Sequence, residues 1–249
     1  MYRISLVSYS NTLPFKEALY NSEFVAKNAI LQERIPAMCA EDIFTGEADI
    51  SLVPIGAFPI PENTRIISDF CLAAKNKVES VLLVSQKTKE EIKTIILDYH
   101  SRSSVKYIKI LAEKFWKIKY NYQNADGNFK DLIKEDTAAV IIGDRALNFR
   151  NSIKYKYDIA EEWFKFTGKP AIFAVWVANN KVSDSFLKEF NKILKSGFEN
   201  RKQIAEKNKH LYPNFDLVNY LTNCMDYNFD EAKQESLNMF NQFYSEILR

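Results

Sequence analysis

The chain has 249 residues, 47% of them hydrophobic, and its 34 basic side chains nearly balance 32 acidic ones. That length supports one large domain or two lobes around packed cores. The charges form no long block of one sign, which argues against nucleic-acid or membrane-surface binding.

The three cysteines, Cys39, Cys71 and Cys224, lie far apart without a CxxC pair, and there are only two histidines, His100 and His210. A zinc site is therefore not expected, and the thiols read as buried and reduced. Arg3 follows the first residues at once, and Ile4 to Val7 is too short for a secretory apolar segment. No run approaches the ~18 apolar residues of a membrane span, so a cytoplasmic protein is expected.

In chain order, Tyr2 to Ser8 reads as a buried strand. Leu13 to Tyr20 follows as a helix, with Asn11 or Thr12 as its cap and Pro14 in its first turn. Val25 to Leu31 reads as a second strand, and Pro36 to Thr45 as a helix stopped by Gly46. Ala48 to Ile55 is a continuous apolar strand of the kind covered on both faces. Val78 to Ser85 and Thr94 to Asp98 are further strands. The stretch from Ser101 to Lys117 is an amphipathic helix with Val105, Ile108, Leu111, Ala112 and Phe115 on one face. Lys119 to Tyr122 reads as a short strand, Ala138 to Asp144 as a strand ending in Gly-Asp, and Ala171 to Ala178 as the last one. Helices over Ser183 to Asn208, Phe215 to Met225 and Asp230 to Leu248 close the chain.

Strands alternating with helices predict an α/β fold. A helical C-terminal tail without a sheet of its own, docked on the first region, makes the chain cross twice between lobes. The expected division is lobe I over residues 1–84 plus 178–249 and lobe II over 85–177, with a ligand cleft between them.

The chain carries no GxGxxG, GxxxxGK[ST], HExxH or GxSxG pattern. What remains are polar clusters at strand ends. Ser8, Tyr9, Asn11 and Thr12 follow the first strand and serve either as a cap and turn or as a ligand wall. Ser80 is a hydroxyl inside an apolar run, bonded to backbone or facing a ligand. Ser101, Arg102, Ser103 and Ser104 open an amphipathic helix, where backbone N–H groups suit a carboxylate or phosphate, and Arg102 adds a bidentate donor. His100, in the same turn, reads as a surface residue. Gly143 and Asp144 form either a turn or a polar group facing the cleft. Trp163 and Trp176 read as core. The ligand expected from these groups is a small anion, with more than one carboxylate, held by neutral donors.

Taken together these segments resemble the chorismate dehydratases of the futalosine route to menaquinone, the MqnA/MqnD family. The resemblance runs through S-Y-x-N-T-x-P at Ser8 to Pro14, G-x-x-D-I-x-L-V-P at Gly46 to Pro54 and V-x-S-V-x-L-x-S at Val78 to Ser85. It continues through L-D-x-x-S-R-T-S-V at Leu97 to Val105, I-G-D-x-A-L at Ile142 to Leu147, and Trp163, Thr167, Gly168, Pro170 and Phe173 to Trp176. Ser10 stands where the family usually has Leu, Ser103 replaces Thr, and Lys169 and Ala171 flank Pro170 where apolar and aromatic residues are common.

The resemblance implies a two-lobe fold like the type II periplasmic binding proteins. It implies a hydro-lyase that dehydrates chorismate to 3-(1-carboxyvinyloxy)benzoate in menaquinone biosynthesis, without a metal or organic cofactor. Asn11 and Ser80 are then expected at the reacting side of the substrate, and residues 101–104 at a carboxylate. The sister 1,4-dihydroxy-6-naphthoate synthase typically begins S-P-C-P-N-D-T, which this chain lacks. The other alternative is a non-catalytic cytosolic binding protein or sensor for a cyclic carboxylate.

Overall fold

The computed structural model describes residues 1–98, 101–124, 130–149 and 153–248; His100 lies outside them. Apolar runs dictate two sheets. The first collects β1 (Tyr2–Val7), β2 (Ala29–Arg34), β3 (Ile50–Pro54), β4 (Thr64–Ala74), β10 (Ala171–Asn179) and β11 (Asp226–Asn228), ordered β11-β4-β10-β3-β1-β2. Within it β1 runs parallel to β2 and β3, while β10 is antiparallel to β3 and β4. The second collects β5 (Val81–Ser85), β6 (Thr94–Leu97), β7 (Asn121–Asn124), β8 (Thr137–Ile142) and β9 (Tyr155–Asp158), ordered β7-β6-β8-β5-β9. All five residues of β3 and of β5 are buried, as continuous apolar strands require.

The crossings between sheets fall earlier than the expected division. Residues 81–84 belong to β5 in the second sheet, and residues 171–177 to β10 in the first. The chain therefore leaves lobe I between residues 74 and 81. It returns between α6 (Ile159–Thr167) and β10, through Gly168 at φ 68°. At the first crossing the buried Asp158 carboxylate accepts the backbone N–H groups of Val78 (3.0 Å) and Glu79 (2.6 Å). It also accepts those of Ala160 and Glu161 as the N-cap of α6. One side chain thus ties the crossing strand to a helix of the second lobe.

The tail is divided. α7 (Asp184–Glu199) and α8 (Arg201–Asn208) pack on α1 (Leu13–Tyr20) of the first lobe. The expected single helix over 183–208 breaks at Asn200. The last helix, α10 (Glu231–Ile247), docks instead on α4 (Arg102–Ile110) of the second lobe and on β10 of the first, with its phenylalanines against Trp163 of α6. Phe240 lies 4.6 Å from the Tyr107 ring and 6.3 Å from Trp163, and Lys114 pairs with Glu246 at 2.8 Å. At its start, buried Lys233 pairs with Asp226 of β11 in the first sheet at 2.8 Å. Residues 231–247 are therefore a brace across both lobes rather than part of lobe I alone.

Two local expectations also change. Val25 belongs to α2 (Glu23–Asn28), because Ser22 Oγ accepts its N–H and caps a short helix, so β2 starts only at Ala29. Residues 215–225 form a short helix, α9 (Leu217–Asn219), continued by a wide turn over Tyr220–Cys224. Trp163 and Trp176 are fully buried, as expected of core residues. No helix among the described residues is long and apolar enough to cross a membrane.

Candidate functional site

The chain turns from β1 into α1 through a single 3-10 turn, Ser10–Thr12. This places Tyr9 and Asn11 at the carboxyl end of a parallel strand, facing the second lobe. Opposite stand the N-terminus of α4, Ser80 just before β5, and the start of α5 (Gly143–Phe149). Together they line a narrow cavity of about 50 Å³ between the sheets. Tyr9, Asn11, Ser80, Ser101, Ser103 and Gly143 line it, with an apolar remainder that includes Val7, Leu72, Ile142 and Phe173.

Each polar group has an identifiable assignment. Ser80 is 1% exposed, and its Oγ accepts the Tyr220 hydroxyl at 2.7 Å. The Asn11 side-chain oxygen is buried with no hydrogen-bond partner, while its backbone carbonyl accepts the Tyr227 hydroxyl at 3.0 Å. An unsatisfied buried acceptor is costly, about 1–3 kcal/mol, and points to a ligand group that completes it. Ser101 Oγ accepts the Ser104 N–H at 3.1 Å as the cap of α4. Ser103 Oγ accepts the Gly56 N–H (3.1 Å) and donates to the Phe173 carbonyl (2.8 Å), joining α4 to two segments of the first lobe. What Ser103 offers a ligand is thus its place in the first helical turn rather than its hydroxyl proton.

Gly143 has φ 62°, and a Cβ there would sit 2.7 Å from the Tyr9 ring, so both the conformation and the ring contact require glycine. Burial pushes the Tyr9 phenol up to about 12, against the pull of the neighbouring Arg145 guanidinium. Arg145 is itself anchored by the buried Asp98 carboxylate at 2.5 Å.

Several expected site residues fall outside the lining. Ser8 is exposed, with its N–H on the Arg34 carbonyl. The Thr12 hydroxyl contacts the Val7 and Tyr9 carbonyls at 2.6 and 2.7 Å; it locks the turn and makes no helix-capping bond. Arg102 is exposed. Ser104 is buried behind the cap, its Oγ without a partner. Asp144 faces Ser10, accepting its N–H at 3.1 Å and its hydroxyl, so it joins the lobes. Lys169 pairs with Glu235 and Ala171 is buried in β10; neither lines the cleft. Among the described lining residues Tyr9 is the sole titratable side chain, and no three His, Cys, Asp or Glu side chains converge as a metal site.

Residues 2–246 match the family described as menaquinone biosynthesis. The chain belongs to that family. A protein from Thermus thermophilus named chorismate dehydratase is 22% identical over 225 residues, covering 82% of this chain and 80% of that one. Among solved structures, one from Archaeoglobus fulgidus superposes with a TM-score of 0.78 at 11% identity, covering 98% of this chain and 97% of that one. A Candida albicans protein described as having the generic periplasmic-binding-protein fold gives a TM-score of 0.65 at 12% identity, covering 97% and 90%. The fold is thus α/β and of the periplasmic-binding-protein kind, with a helical C-terminal stretch.

Within this family member, sequence reasoning missed Arg145, Tyr220 and Tyr227. Arg145 carried a signal, being a lone base directly after the Gly-Asp of the fifth motif. The two tyrosines lie 140 and 216 residues from their partners, beyond any local pattern.

Proposed function

We propose that the chain is a chorismate dehydratase, a hydro-lyase that converts chorismate to 3-(1-carboxyvinyloxy)benzoate for the futalosine route to menaquinone in the cytoplasm. The observation that carries this reading is the composition of the cleft. It offers hydroxyls, an amide and a helix N-terminus, and among the described lining residues it offers no group basic enough to take a proton from carbon near neutral pH.

The reaction suits such a site. The proton on the ether-bearing ring carbon is acidic through the diene to the ring carboxylate. Donors at that carboxylate stabilise the dienolate as charge develops, which is the role of the first turn of α4 around Ser101 and Ser103. The proton passes to the substrate's own enolpyruvyl carboxylate. The electron pair left on carbon moves through the diene and returns to expel the ring hydroxyl. Proton and hydroxyl leave overall as water, and the ring becomes aromatic. No metal or organic cofactor enters the balance. The Asn11 side-chain NH2 assists the departing hydroxyl as a donor, its buried oxygen is left to accept from the substrate, and Ser80 donates on the same side. Positioning then supplies much of the rate, and apolar walls exclude water.

Incubation with chorismate, followed by ultraviolet spectroscopy, tests the reading: an aromatic product is expected. In Asn11→Ala and Ser80→Ala, kcat is expected to fall on the order of 100-fold, as when one transition-state donor is removed. Near wild-type rates in both folded variants would sink the site assignment. Calorimetric binding of chorismate without any product would identify a non-catalytic binding protein instead.

A further inference from the structure

The two residues assigned to the reaction belong to different lobes, yet both are held from one place. Tyr220 donates its hydroxyl to Ser80 Oγ at 2.7 Å, and Tyr227 donates its hydroxyl to the Asn11 carbonyl at 3.0 Å. Both phenols are buried, at 2% and 0% exposure, and both come from a single stretch of the C-terminal tail. Asp216 begins that stretch by capping the Asn219 N–H at 2.9 Å. The wide turn over Tyr220–Cys224 follows and closes with the Met225 N–H on the Tyr220 carbonyl. Strand β11 then pairs with β4 and carries Tyr227 inward.

We infer that Tyr220 is a positioning residue that sets the orientation of the Ser80 hydroxyl, and that Tyr227 does the same, more weakly, for the turn bearing Asn11. The inference rests on the reading that Ser80 and Asn11 act on the substrate. A serine hydroxyl has one proton and a freely turning Cα–Cβ bond. With a Tyr220 proton on its oxygen, the Ser80 proton is directed away from Tyr220 and toward the cleft that Ser80 lines. The Ser80 carbonyl accepts the Gly143 N–H at 2.8 Å, so the backbone under it is fixed as well. Tyr227 grips a backbone carbonyl rather than the Asn11 side chain, which makes its effect indirect. In both cases the ring is held apart from the hydroxyl. Tyr220 packs edge-on against Phe215 at 5.9 Å, and Tyr227 against Phe15 at 5.3 Å. Removing the hydroxyl alone therefore leaves the ring in place.

The experiment compares Tyr220→Phe and Tyr227→Phe with wild type, by chorismate kinetics and by crystal structures. Loss of one hydrogen bond of ordinary strength to an acting group is expected to lower kcat about tenfold in Tyr220→Phe. KM should stay within about threefold, because the uncharged Ser80 hydroxyl acts in the transition state. Tyr227→Phe is expected to lower kcat less, by about threefold. The structure of Tyr220→Phe should show Ser80 Oγ in a different rotamer, with the substituted ring unmoved. A wild-type kcat in Tyr220→Phe overturns the inference, and so does a retained Ser80 rotamer. If wild type leaves chorismate unchanged, the proposed function fails, and the rotamer comparison still decides the inference.

Discussion

Two serine-rich turns face each other across the cleft, and they are joined to the opposite lobe by different chemistry. The turn at residues 101–104 uses a neutral group: the Ser103 hydroxyl bridges Gly56 and Phe173. The turn at residues 8–12 uses ionisable ones: Ser10 meets Asp144, and Tyr9 meets the Arg145–Asp98 pair. Only the second leaves a polar group, the Asn11 amide oxygen, buried without a partner in the cleft lining. The lesson is that similar polar composition at two strand ends divides into different work. The neutral joint ties the first turn of α4 to the first lobe, and the ionisable joint frames the turn that holds the unpartnered Asn11 oxygen.

The sharpest way to break this comparison is Gly56→Ala. A Cβ on Gly56 would sit 2.2 Å from the Arg102 carbonyl carbon and 2.4 Å from the Ser103 nitrogen, all backbone atoms that cannot rotate away. The lobes must separate locally, and the bond from Gly56 N–H to Ser103 is strained or lost. Overpacking of this kind costs about 1–3 kcal/mol of stability. Displacing a substrate-positioning turn by ~1 Å is expected to lower kcat/KM on the order of 100-fold. Thermal unfolding and steady-state kinetics check both figures. Wild-type kcat/KM in a stable variant would remove the neutral joint from its assigned role.

The ionisable joint predicts a pH effect that the neutral joint does not. Burial holds the Asp144 carboxyl above its ordinary 3.8, against the lowering bonds from Ser10 and the nearby Lys16 charge. In the window above 3.8 the folded state binds more protons than the unfolded state, so stability falls as pH rises through the raised value. Below 3.8 both states are protonated and the contribution is complete. One group gives at most ~1.4 kcal/mol per pH unit. Thermal unfolding of wild type and Asp144→Asn between about pH 3.5 and 7, a range chosen around the ordinary carboxylate value, reads this directly. Asp144→Asn is expected to show the shallower fall. Asp158 adds a slope of the same sign in both proteins, because burial raises it to about 6. Parallel curves would show that Asp144 ionises normally and that the contact with Ser10 is not a sensitive one.

Much of this architecture was legible from local signals. β3 and β5 are almost wholly apolar runs, and α3 (Pro36–Thr45) is bracketed by a proline in its first turn and Gly46 at φ 78°. β4 was not legible. Ser68 and Asp69 interrupt its apolar pattern, and its register against β10 shifts twice, so no strict alternation marks it. The residues of the site were legible by type, at the ends of strands and the starts of helices. Their division of labour was not, because it depends on partners far along the chain. Ser103 is settled by Gly56 and Phe173, Asp144 by Ser10, and Ser80 by Tyr220. A hydroxyl in a sequence announces a donor, and only the fold decides which acceptor takes it.

The smallest expected effect belongs to Arg102, which sequence alone places at a substrate carboxylate. Its side chain is exposed and outside the cleft lining, while its backbone forms the contact with Gly56. Arg102→Ala keeps that backbone and removes an exposed charge. In water at physiological salt such a charge is screened within about 8 Å. Its residual pull on a dianionic substrate is then expected to change kcat/KM by no more than about twofold at about 0.15 M salt. Lowering the salt should widen the gap from wild type, as long-range attraction requires, while kcat stays unchanged. A tenfold rise in KM that persists at high salt would mean that the guanidinium swings inward and pairs directly with the substrate. The joint at residues 101–104 would then carry charge as well, and the contrast between the two turns would fail.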